Sequence, residues 1–116
     1  MESQVELYDR IHVLFRRYLD EMPGIEDAYD GMTSEAYKGG ALDAKTKRLM
    51  AMTAAVVAGC RGCILFQAKH ALDQGASAEE ILESCAVAIS LGGTMAAAET
   101  TRVVAYLEER GVLEPS

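Results

Sequence analysis

Apolar residues recur along this chain at intervals of three and four, and no stretch alternates well enough to read as a strand. Tyr8, Ile11, Phe15, Tyr18, Leu19 and Met22 share one helical face. They follow Ser3-Gln4-Val5-Glu6, a capping-box spacing in which serine and glutamate side chains satisfy orphan amides reciprocally. Pro23-Gly24 stops that helix. Ile25, Ala28, Tyr29, Met32 and Ala36 mark a second, weaker one, interrupted in propensity by Gly31 and closed by Gly39-Gly40. Asp43 predicts the N-cap of a third helix that runs to about Ala58, where Gly59 supplies the stop. A fourth starts near Cys60 and ends at Gly75, and Ser77-Ala78-Glu79-Glu80 is a second capping box that opens a fifth toward Leu91. Gly92-Gly93 breaks the chain, Thr94 caps, and a sixth helix runs to Arg110. The expectation is one all-α domain of six helices over residues 1–116.

Two of these segments, Leu49 to Val57 and Ala86 to Ala98, are apolar almost all round. A helix without a polar face is normally covered on every side, and a small domain has little with which to cover two. Other copies of the chain are the simplest cover, so a homo-oligomer is expected; a tight alanine-mediated crossing inside one subunit is the alternative.

Charge changes the picture by exclusion. With 18 acidic and 11 basic residues the net charge is −7, which provides no basic stripe for phosphates, so neither nucleic acid nor an anionic membrane is an expected partner. Met1-Glu2-Ser3-Gln4 lacks the basic and apolar regions of an export signal, and the longest apolar runs are short for a bilayer. A cytoplasmic protein is expected, and there a persistent structural disulfide is the weaker reading of any cysteine pair.

The chain offers such a pair, Cys60-Arg61-Gly62-Cys63. On the fourth helix Cys60, Cys63, Gln67 and His70 fall at i, i+3, i+7 and i+10, on one face. The sulfurs lie in the first turn, where free amides and the helix dipole favour a thiolate, and Arg61 adds positive charge. Packing of two small apolar residues and zinc binding are the competing readings. Zinc would need Cys85 and His12 recruited from afar, since a structural site takes four ligands. Cys85 itself reads as core.

Leu42-Asp43-Ala44-Lys45-Thr46-Lys47, then Cys60-x-x-Cys63-Ile64, then Ala71 through Ile81, then Gly92-Gly93 form an ordered string over the last two thirds of the chain. In this the chain resembles the alkyl hydroperoxidase D-like, or carboxymuconolactone decarboxylase, family. The resemblance implies an all-α fold, assembly as dimers, trimers or hexamers, and, in the antioxidant branch, a disulfide-cycling peroxidase site that needs no cofactor. It makes Cys63 the attacking thiol and Cys60 its resolver. The family's relay histidine and glutamate fall on Gln67 and Arg48, neither of which can act as a base. His70, one turn further along, lies roughly 10 Å beyond Cys63 on the helix axis. Arg48 comes opposite Gln67 to Ala71 if the third and fourth helices form a hairpin about Gly59. There it stabilises a thiolate or grips an anionic substrate; otherwise it is a surface arginine paired with a carboxylate. The expected activity is thiol–disulfide oxidoreduction on a peroxide or disulfide, reset by an external dithiol. A lactone decarboxylase and a non-catalytic helical oligomer are the alternatives.

Overall fold

The computed structural model describes residues 1–115, all of whose regular structure is helical. The elements are α1 (Gln4–Glu21), α2 (Pro23–Tyr37), α3 (Ala44–Ala58), α4 (Arg61–Asp73) and α5 (Ala78–Glu109). There are five helices rather than six, because the break at Gly92-Gly93 contains no loop. Gly93 alone leaves helical backbone, at φ 62° and ψ −142°, and the chain resumes its helix at once. A single residue in a conformation closed to L side chains bends α5 where two helices were expected. The Pro23-Gly24 stop is likewise compressed: Pro23 takes the first position of α2, where its missing N–H costs nothing.

The cap predictions at Asp43 and Ser77 hold. Asp43 Oδ1 accepts from the Thr46 amide at 2.7 Å, and Ser77 and Glu80 exchange both bonds of a capping box. At the first helix only half of the expected box forms. Ser3 Oγ accepts from the Glu6 amide, but it is Glu109, from the far end of α5, whose carboxylate takes the Ser3 hydroxyl and the Gln4 and Val5 amides. These three bonds hold the Glu109 carboxyl below its usual range against the opposing effect of burial, and they tie the two ends of the chain together.

α3 and α5 pack against each other most extensively, with α4 closing the third side. Met52 and Val56 of α3, Ile64 and Leu65 of α4, and Ile81, Val103, Tyr106 and Leu107 of α5 are fully or almost fully buried. Each contributes about 1.5–3 kcal/mol by leaving water. Ala55, Ala88 and Ala96 let the helices approach closely, and a Cβ at Gly92 would come within 3.6 Å of the Val57 backbone. The alanine-mediated crossing is therefore real, yet it covers only one side of these segments. Leu91 is 78% exposed, and Met50, Val87 and Met95 are also outward. No residue of α2 is buried.

By length and composition α5 also meets the measure of a membrane span, with a mean hydropathy of 1.5 in its most apolar window. Its uncharged stretch, Ser84–Ala98, is 15 residues, or about 22 Å of helix against about 30 Å of hydrocarbon, and Gly93 bends it in the middle. The chain folds into a compact body with a radius of gyration of 14.4 Å.

A Cβ at Gly93 would meet nothing within 4 Å, so any cost of adding one is conformational. Gly93→Ala is expected to lower stability by about 1–3 kcal/mol in urea unfolding. Gly31→Ala, in the middle of α2 with open space around it, should instead be neutral or raise stability by up to about 1 kcal/mol. Equal effects at the two positions would contradict the elbow.

Candidate functional site

The cysteine pair is placed by a turn of minimal length. Gly59, at φ 68°, ends α3 in the left-handed region. Its amide donates to the Val56 carbonyl at 3.1 Å and the Cys60 amide to the Ala55 carbonyl at 3.1 Å, the paired bonds of a Schellman motif. Cys60 is at once the N-cap of α4: its carbonyl accepts from the Ile64 amide at 2.8 Å and its Sγ from the Cys63 amide at 3.4 Å. Two residues thus close one helix and open the next. Cys60 and Cys63 are joined as a disulfide, with their Cα atoms 5.2 Å apart. Cys63 is exposed and Cys60 half-buried. Arg61 does not face the pair as an uncompensated charge; it lies 3.8 Å from a Glu2 carboxylate oxygen.

α3 and α4 then run back along each other as a hairpin, and the register is the expected one. Arg48 Nη1 donates to Gln67 Oε1 at 3.1 Å. Gln67 Nε2 donates to the Tyr37 hydroxyl at 3.2 Å, and the Arg48 guanidinium stacks over the Tyr37 ring, 3.6 Å from its centre. The three side chains form a closed set. Among the described residues no carboxylate lies within ion-pair distance of Arg48, so the reading of it as a surface arginine with an acidic partner is set aside. Burial draws the Arg48 pKa down, yet a guanidinium stays protonated at any physiological pH.

His70 sits half-buried on the same face of α4. Burial first, then the charges of Arg48 and Lys69, hold its imidazole below the usual histidine range. It stands seven residues beyond Cys63 on α4, about 10 Å further along the helix axis. Cys85 is buried in the core, where desolvation raises its thiol pKa above the usual range despite a hydrogen bond with Thr100. His12 stacks on Tyr8 and meets Phe66 at a tilt of 48° at the α1–α4 contact. These two residues are committed to their own surroundings, and no group of three metal-ligating side chains converges among the described residues.

Tyr37 is the member of the set that sequence reasoning passes over. Its signal was present: it follows Tyr29 by eight residues, hence on the same stripe of α2, and stands in the last turn before Gly39-Gly40. The apolar pattern puts Ala36 on that face instead.

Residues 23–106 match the model of the carboxymuconolactone decarboxylase family. An uncharacterised protein of Cupriavidus necator is 34% identical over 86 residues, covering 74% of this chain and 76% of its own. A protein of the Paracoccus denitrificans cox locus is 35% identical over 85 residues, covering 73% and 77%. Among solved structures, a carboxymuconolactone decarboxylase family protein from Legionella pneumophila, in its apo form, superimposes with a TM-score of 0.87 at 30% identity, covering 94% of this chain and 97% of that one. One from Thermotoga maritima, for which involvement in an antioxidative response has been suggested, gives 0.69 at 35% identity, covering 74% and 89%. With the family model spanning residues 23–106 and relatives above 30% identity over about three quarters of the chain, the chain belongs to the carboxymuconolactone decarboxylase family.

Proposed function

We propose that this chain is a thiol–disulfide oxidoreductase acting through Cys63 and Cys60. The observation that carries the reading is the Cys60–Cys63 disulfide at the first turn of α4, with Cys63 open to solvent. In the reduced state the same turn offers unpaired amides and the positive end of the helix dipole, which favour a thiolate. The Cys63 thiolate attacks one sulfur of a disulfide and expels a thiolate. Cys60 then attacks the Cys63 sulfur and expels the second, leaving the Cys60–Cys63 disulfide; an external dithiol returns both electrons. No cofactor enters this cycle.

A disulfide suits this site better than a peroxide. Heterolysis of a peroxide expels an alkoxide or hydroxide, and the latter has a conjugate acid of pKa about 15.7 in bulk water, so that step needs a proton donor beside the sulfur. Gln67 and Arg48 cannot supply one from where the family's relay would. A thiolate, whose thiol has a pKa of about 8.5, leaves unaided. Peroxidase activity of the alkyl hydroperoxide type is accordingly a slow side reaction here.

The uncovered apolar residues of α2 and α5 support assembly into a homo-oligomer, as a dimer, trimer or hexamer. The short uncharged stretch of α5 and its elbow favour this protein cover over lipid, consistent with a cytoplasmic protein.

Cys63→Ser is expected to abolish reaction with disulfides, whereas Cys60→Ser should react once and stall as a mixed disulfide, read by intact mass. The native dithiol form should be oxidised faster by a disulfide than by hydrogen peroxide at equal concentration. A faster-reacting Cys60 would reverse the assigned roles. Sedimentation at micromolar concentration should give a species heavier than the 12.5 kDa chain; a monomer that binds no hydrophobic dye would contradict self-association.

A further inference from the structure

Arg48 is out of balance with the rest of the molecule's charge. Carboxylates outnumber cations by 18 to 11, and Arg16, Lys45, Lys69 and Arg102 each pair with one or more of them. Arg48, half-buried on α3, pairs with none among the described residues; of the other cations without a carboxylate, Arg10 and Arg110 are exposed and Lys47 donates to the Lys38 carbonyl. A partly desolvated cation without an anion costs stability, and here it is held rather than released to water: Tyr37 fixes its plane and Gln67 takes one of its donors. An oriented guanidinium with donors to spare is the group best suited to a carboxylate fork. Its location is specific as well. Gln67 lies one turn from Cys63 on the same face of α4, about 6 Å along the axis, a span that a carboxylate a few bonds from a reacting sulfur can bridge.

We propose that Arg48, presented by Tyr37 and Gln67, determines substrate specificity, and that the oxidising substrate is a small disulfide bearing a carboxylate. This rests on the oxidoreductase reading above. The carboxylate docks on the guanidinium while the Cys63 thiolate attacks the nearer sulfur. The sulfur–sulfur bond of the substrate breaks, a carboxylate-bearing thiolate departs, and a mixed disulfide forms. Cys60, losing its proton to solvent, displaces the second thiolate; the substrate gains two electrons and the pair loses them.

The test follows oxidation of the reduced full-length protein by two chromogenic disulfides, anionic dithiobis(nitrobenzoate) and neutral dithiodipyridine. Arg48→Gln is expected to slow the anionic reagent about tenfold, through a weaker concentration dependence rather than a lower limiting rate, and to leave the neutral one within about twofold. Arg48→Lys should recover part of the loss. Arg17→Gln, which removes the same charge from an exposed ion pair on α1, should leave both reactions near the native rate. The native protein gives a second readout that needs no variant. A protein of net charge −7 repels a dianion overall, so global electrostatics would make the anionic reaction faster as salt rises, whereas docking on Arg48 makes it slower. Equal slowing of both reagents by Arg48→Gln, no slowing of either, or a rate that rises with salt would overturn the proposal. Failure of the underlying reading looks different: the native protein would then react with neither reagent faster than Cys63→Ser does.

Discussion

The turn at Gly59 and Cys60 is the constraint on which the rest depends. A glycine in the left-handed region lets α3 end with both bonds of a Schellman motif, and the next residue caps α4 without any loop between. A loop even a few residues longer would let the two helices slide or splay. With none, the register of the α3–α4 hairpin is set at its closed end, and every cross-pair follows from it. Arg48, about three turns before the corner, reaches Gln67, about two turns after it, through its long side chain. The same geometry puts both sulfurs at the one place on α4 where backbone amides have no helical partner. Methionine packing finishes the corner, with the Met95 sulfur 3.4 Å from where a Gly59 Cβ would stand.

That fixed frame brings Arg48 and Gln67 together across the hairpin, and the proposed function turns on their chemistry. A histidine and a glutamate facing each other across the hairpin would move a proton. Glutamine and arginine in the same positions make a hydrogen bond of ordinary length and leave a permanent positive charge. On the proposed function, such a pair cannot protonate a departing oxygen but can attract an anion. Tyr37 belongs to this arrangement more than to the core: it reaches across from α2, a helix that buries nothing, and its ring and hydroxyl engage Arg48 and Gln67 together.

Much of this was legible in the residues, for reasons that differ by element. Asp43, Gly59 and Ser77 act through local backbone chemistry, which a sequence displays directly, and the helix limits they set are the observed ones. The hairpin register could be counted outward from Gly59. What the pattern hid was tertiary. Glu109, rather than Glu6, caps the first turn, on the Ser3 hydroxyl and the Gln4 and Val5 amides, because the start of α1 and the end of α5 meet in space, which no local spacing reveals. Gly92-Gly93 reads as a gap between helices, since two adjacent glycines ordinarily mean a loop; only one of them bends, and the other serves close packing on Val57. The Arg61 charge beside the sulfurs has an exposed partner in Glu2, from the chain's first residues, at 3.8 Å.

The central claim is that Cys60 and Cys63 form a redox couple rather than a structural staple or a packing pair. Equilibrating the protein in dithiol buffers of graded potential, then alkylating and mapping the three cysteines by mass, measures this directly. The account predicts a reversible two-electron transition confined to Cys60 and Cys63, within the range of about −270 to −120 mV spanned by disulfide-exchanging proteins, with Cys85 unmodified throughout the folded state. A pair that stays oxidised at every accessible potential, or thiols that never join, would contradict it.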